Sequence, residues 1–132
     1  GIITEQLDAI EVGHKGLTNL EIVSSMHERK SRMAELSDAI ISLPGGVGTW
    51  EELFEALAWN QLGFYSKPII LFNVDGYYSS LYQFSKDSVE EGFLPKSTFE
   101  ELFISEDLEE IFNFISSFEK KDGKDWYKRL ER

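Results

Sequence analysis

Short apolar runs alternate along this chain with longer stretches in which apolar residues recur every three or four positions. The runs are LEIVS (20–24), AIISL (39–43), PIILFNV (68–74) and ELFIS (101–105). Each has strand length, and PIILFNV is apolar almost throughout, as a strand covered on both faces is. Between and after them lie MHERKSRMAELS (26–37), a stretch from about Thr49 to Leu62, YSSLYQFSKDSVEEG (78–92) and EDLEEIFNFISSFEKK (106–121), all with helical spacing. Gly92 stops the third of these. Repeated β–α alternation with strands of this buried type predicts an α/β protein, a parallel sheet with helices on both faces. The opening GII reads as the remnant of a strand, so a first β–α unit is expected to be missing. The tail 122–132, DGKDWYKRLER, is polar and reads as a loosely held extension.

With 132 residues the expectation is a single domain, 1–132, large enough to bury a core. No apolar run reaches membrane-spanning length, and the opening GIITEQLDAIEV has no basic region followed by a long apolar segment. The chain contains no cysteine, which removes disulfides, thiolate metal sites and thiol catalysis and is compatible with a cytoplasmic location. Its net charge of −11 argues against a nucleic-acid surface. An anionic small molecule would need a local concentration of donors. Two histidines far apart, with no acids at matching spacing, argue against a metal site.

The segment ISLPGGVGTWEELFEAL (41–57) supplies such donors. Ligands of parallel α/β sheets bind beyond the carboxyl ends of strands, at loops leading into helices. LPGGVGT is such a loop, SSMHER is another, and both fall on one rim if their strands run parallel. The Walker pattern fails because no lysine follows Gly48. The dinucleotide fingerprint is weak, since Glu51 stands at the third glycine position and Asp75 is too distant for the ribose acid. A monophosphate turn remains: Gly45, Gly46 and Gly48 bring bare backbone close to an anion, N–H groups at the helix start point toward it, and Thr49 adds a hydroxyl. Glu51 and Glu52 would repel phosphate, so they must face something else, and the sugar carrying it is the natural candidate. The plain structural alternative is a T-x-x-E capping box in which Glu52 reaches back to Thr49, with both acids favoured by the first helical turn. Three glycines after Pro44 exceed what a helix start requires, and that excess favours function.

Ser25 and Glu28 form a second S-x-x-E capping pattern at the start of MHERKSRM. Met26, Arg29, Lys30 and Met33 share a helix face by spacing. An arginine between two methionines must reach a cleft or find an anionic partner, or else snorkel. Asp75 and Tyr77 in NVDGYY follow a strand end and can fall on the ligand rim, although Asp-Gly there is also a plain turn.

The segments SMHERK, SDAIISLPGGVGTWEELFEALAWNQLG, KPIILFNVDGYY and EEGF closely resemble the LOG (LONELY GUY) family of cytokinin riboside 5′-monophosphate phosphoribohydrolases, whose members have often been mislabelled lysine decarboxylases. The resemblance runs from about Glu11 to Phe93. It implies a Rossmann-like fold, a homodimer or an assembly of dimers, and hydrolysis of the N-glycosidic bond of a nucleoside 5′-monophosphate (AMP or an N6-modified AMP) to free base and ribose 5-phosphate, with no cofactor. Position by position, Arg29 and Glu52 correspond to the catalytic pair. Gly45, Gly46, Val47, Gly48 and Thr49 correspond to the phosphate-binding turn, and Glu11, Lys30 and Glu51 to further substrate-binding positions. The family's N-terminal β–α region, with its GGG-x-x-GLMG segment, has no counterpart here. Ala58 and Val47 stand where threonine and tyrosine are common, which bears on base preference. A non-catalytic nucleotide or cofactor carrier on the same scaffold is the alternative. Pyridoxal-dependent decarboxylation has little support, because neither Lys30 nor Lys67 has an evident partner set.

Overall fold

The computed structural model describes residues 1–10, 13–14 and 16–119. Its contacts fall into two compact units, Gly1–Ser37 and a second beginning at Asp38. In the first, β1 (Ile2–Thr4), α1 (Glu5–Ala9), β2 (Glu21–Val23) and α2 (Met26–Leu36) follow one another. The two strands are parallel, with Ile2, Ile3 and Thr4 opposite Glu21, Ile22 and Val23. GII therefore does lead into a strand, and α1, which periodicity did not reveal, follows it directly. Thr4 starts that helix by accepting the Leu7 N–H at 3.4 Å.

The predicted cap at Ser25 is present, with a variation. Ser25 Oγ accepts the Glu28 N–H at 3.1 Å. The Glu28 carboxylate reaches one residue further back than a capping box requires and accepts from the Ser24 N–H and hydroxyl at 2.9 and 2.7 Å. Those two bonds hold the Glu28 carboxyl below its usual range. On the same helix Arg32 Nε bridges both Glu21 oxygens at 2.9 and 3.1 Å, tying α2 to β2.

The second unit contains β3 (Ile40–Ser42), α3 (Val47–Leu62), β4 (Ile69–Phe72), a 3-10 turn (Val74–Gly76), α4 (Ser79–Glu90), α5 (Lys96–Phe99), β5 (Leu102–Ser105) and α6 (Leu108–Ser117). Its strands lie in the order β3-β4-β5, all parallel, with Ile69 opposite both Ile40 and Leu102. The pleat sends alternate residues to opposite faces. Ile69 and Leu71 of β4 and Leu102 of β5 meet Leu53, Ala56 and Leu57 of α3 and Tyr78, with Ile104, Leu81 and Tyr82 packed alongside. On the other face Phe103 stacks on Phe114 of α6, ring centroids 4.3 Å apart. Helices thus cover both faces, as expected of the Rossmann-like α/β class. Ile69, Ile70 and Leu71 have no exposed surface, which explains why PIILFNV lacks alternation. Each such side chain stabilises the fold by about 1.5–3 kcal/mol.

The termini of α3 are set locally. Gly63 closes it in the left-handed conformation, at φ 75°. Asn60, buried at that end, donates to the Lys67 carbonyl at 2.7 Å and accepts the Lys67 N–H at 3.2 Å, fixing the return into β4.

Candidate active site

The helix start decides against the T-x-x-E alternative. α3 begins at Val47 with Gly46 as its N-cap, a residue with no side chain to cap the helix. Thr49 therefore lies inside the helix, where it cannot act as the cap of a T-x-x-E box, and no acid stands in the first turn. The Trp50 N–H closes the first helical bond onto the Gly46 carbonyl at 3.1 Å. The preceding N–H groups point out of the helix end, where an anion is favoured by the aligned peptide dipoles. A T-x-x-E box headed by Thr49 accordingly does not account for Glu52.

Helix geometry sets where these acids project. Glu52 follows Gly48 by four residues and Thr49 by three, so it shares their side of α3, and side chains lean toward the helix N-terminus. Glu52 is half-buried and Glu51 exposed. Both make interactions within the fold.

The glycines differ in what surrounds them. A Cβ at Gly45 would lie 2.2 Å from Thr49 Oγ1 and 2.9 Å from Thr49 Cβ, so packing alone demands glycine there. A Cβ at Gly46 or Gly48 would meet nothing within 4 Å, and neither residue has positive φ. Neither sterics nor backbone conformation calls for glycine at these two positions. What their absence of side chain achieves is an open surface of main chain around the first turn. Val47 between them is largely exposed, at 75%.

The loop after β4 lies on the same carboxyl edge and holds this turn. Tyr77 Oη donates to the Gly45 carbonyl at 2.6 Å, and Tyr78 Oη donates to the Leu43 carbonyl at 2.6 Å. The two rings meet edge to face with centroids 4.9 Å apart. Asn73 Oδ1 accepts the Tyr78 N–H at 2.8 Å, and the reversal between them uses Asp75 at φ 51° and Gly76 at φ 74°. Burial pushes the Tyr78 phenol above its usual range, with the neighbouring Tyr77 adding to the effect, which keeps its proton available to Leu43. The sequence placed Asp75 and Tyr77 near the rim but missed Asn73 and Tyr78. The available signal was an aromatic pair directly after an Asp-Gly turn at a strand end.

Arg29 and Lys30 belong to the first unit, both half-buried on α2. Arg29 Nε donates to the Ile2 carbonyl at 3.0 Å, and its Nη1 lies 3.4 Å from the Met26 sulfur. Among its contacts the Arg29 side chain thus bonds β1 and touches the methionine one turn back on its own helix. Glu11 lies outside the described residues. Among the described residues no cluster of three or more His, Cys, Asp or Glu could hold a metal ion. No described helix is long and apolar enough to cross a membrane.

A parallel β–α–β unit with an open glycine turn between strand and helix, at the carboxyl edge of the sheet, defines this chain as a Rossmann-like α/β protein. Comparison with known proteins then gives the family. A family model described as "Possible lysine decarboxylase" matches residues 1–115, and the chain belongs to that family. A cytokinin riboside 5′-monophosphate phosphoribohydrolase of Rhodococcoides fascians is 46% identical over 118 residues, 89% of this chain and 60% of that protein. The Arabidopsis thaliana enzyme of the same name, LOG3, is 48% identical over 105 residues, 80% and 48% of the two chains. The probable Oryza sativa subsp. japonica enzyme LOGL2 is 50% identical over 97 residues, 74% and 40%. The LOG resemblance seen in the motifs therefore holds, and the chain spans about half the length of these relatives.

Proposed function

We propose that the protein carrying this chain hydrolyses the N-glycosidic bond of nucleoside 5′-monophosphates, cytokinin nucleotides among them, to free base and ribose 5-phosphate. The observation that carries this reading is the open glycine turn at the start of α3 with a carboxylate one turn further on, in a chain whose relatives are named phosphoribohydrolases. The N–H groups of the turn and the Thr49 hydroxyl hold the 5′-phosphate. This fixes the ribose so that C1′ faces Glu52. Breaking the bond from C1′ to the base nitrogen builds positive charge on the sugar, as in glycoside hydrolysis generally. The Glu52 carboxylate stabilises that charge and takes a proton from the water that adds to C1′. The base departs with the bonding pair and takes a proton from solvent, to which Glu52 returns the one it accepted. Arg29 orients the substrate or meets negative charge on the departing side. Its guanidinium stays protonated, so it is no proton donor. Lys30, Glu51 and Glu11 serve substrate binding, and no cofactor takes part.

We further place the protein in the cytoplasm as a homodimer or an assembly of dimers. The apolar arc of α3 supports the assembly: beyond the core residues it continues through Val47, Trp50 and Phe54, all at least 41% exposed. The decisive test is incubation of the full-length protein with AMP and N6-isopentenyl-AMP, assaying free base and ribose 5-phosphate. Glu52→Gln should abolish release while nucleotide binding and the melting curve persist. Full turnover by that variant would defeat the carboxylate assignment, and nucleotide binding without release by the unaltered protein would leave a carrier.

A further inference from the structure

The open turn has a weakness that its composition creates. A peptide between two glycines can rotate as a unit, because neither neighbour penalises the backbone angles of the flipped form. In a trans peptide the C=O and N–H point in opposite directions. Rotation of the Gly45–Gly46 peptide would turn the Gly46 N–H away and put the Gly45 carbonyl oxygen in its place. A donor for an anion would become an acceptor that repels it.

One described side chain bonds to that peptide's oxygen. Tyr77 Oη donates to the Gly45 carbonyl at 2.6 Å, which directs the Gly46 N–H to the opposite side. The Gly46 carbonyl is occupied by the Trp50 N–H, so the next N–H, that of Val47, also points out of the helix end. The Tyr77 ring is held in turn by Tyr78, which is buried and bonded to the Leu43 carbonyl on the near side of Pro44.

We propose that Tyr77 is a positioning residue: its hydroxyl locks the Gly45–Gly46 peptide in the orientation that presents N–H groups to the 5′-phosphate. This rests on reading the turn as a phosphate cradle. In this role Tyr77 acts through the peptide it holds. Packing against Tyr78 needs only the ring, whereas the lock needs the hydroxyl, so Tyr77→Phe separates the two. At 48% exposed, the position should accept phenylalanine without loss of fold.

The test uses the full-length protein and its Tyr77→Phe variant, with AMP turnover, calorimetric binding of ribose 5-phosphate and thermal melting. The expected result is a rise in KM for AMP and in the Kd for ribose 5-phosphate of about 5- to 10-fold, the worth of one hydrogen bond. The value of kcat should stay within about twofold, as for loss of binding shared by ground and transition states. Melting should superimpose on the unaltered protein. Unchanged ribose 5-phosphate affinity in the variant overturns the lock, as does weakened binding accompanied by an equally lowered melting temperature. Should the unaltered protein bind ribose 5-phosphate yet release no base from AMP, the hydrolase reading fails, and the affinity comparison alone decides the lock. Failure of the unaltered protein to bind ribose 5-phosphate overturns both.

Discussion

Adding a methyl group at each glycine of the turn separates what packing requires from what a ligand requires. At Gly45 the new Cβ would lie 2.2, 2.9 and 3.3 Å from Thr49 Oγ1, Cβ and Cγ2. Comfortable carbon–carbon separations are about 3.5–4.0 Å. Rotating the threonine side chain relieves the first and third contacts, but the second involves an atom fixed to the helix backbone. The turn must therefore move by roughly half an ångström, and Gly45→Ala should cost about 1–3 kcal/mol, as overpacking generally does. A chain of 132 residues loses roughly 3–5 °C in melting temperature per kcal/mol. At Gly46 the same methyl meets nothing and φ is −99°, so Gly46→Ala should change stability by no more than about 0.5 kcal/mol. Gly48 lies within the helix, where alanine is better by about 0.8–1 kcal/mol, so Gly48→Ala should stabilise. Both variants nevertheless place carbon over the exposed main chain. Losing one charge-assisted hydrogen bond, worth about 1.5–3 kcal/mol, should weaken AMP binding about 10- to 150-fold. Chemical denaturation and calorimetry on the three variants read both quantities. A Gly45→Ala variant that melts like the unaltered protein, or Gly46→Ala and Gly48→Ala variants that bind AMP at full strength, would refute this division of roles.

Asn60→Ala should destabilise by about 1–3 kcal/mol in urea denaturation, because it strips both Lys67 backbone bonds from a buried amide site. Unchanged stability would show that the return into β4 is held elsewhere. Tyr65 gives a pH dependence. Burial first, and Glu55 second, raise its phenol from the ordinary value of 10.0 to about 12. A group with a raised folded value contributes stability that is complete below its unfolded value and is lost as pH rises through the folded one. The contribution should therefore be intact below about pH 10 and disappear by about pH 12. Tyr65→Phe should flatten that part of the stability profile, measured by denaturation at successive alkaline pH values, and an unaltered profile would contradict the assignment.

The strands, the long helices and the order of the β–α units were legible in the sequence. They follow from local periodicity and from the uninterrupted burial that IIL in β4 demands. The glycine turn was legible too, because its three glycines exceed what a helix start needs. The T-x-x-E alternative could be set aside only from the structure. T-x-x-E is a pattern of spacing, while the actual start depends on Gly46 bending the chain just after β3 ends. Sequence alone also offered no means of joining residues 43 and 45 to residues 77 and 78. That pairing exists because β3 and β4 are parallel neighbours whose carboxyl ends share an edge. Local rules determined which groups could hold an anion. The hydroxyls that bond the Leu43 and Gly45 carbonyls come from another strand's loop, and only the tertiary fold brings them there.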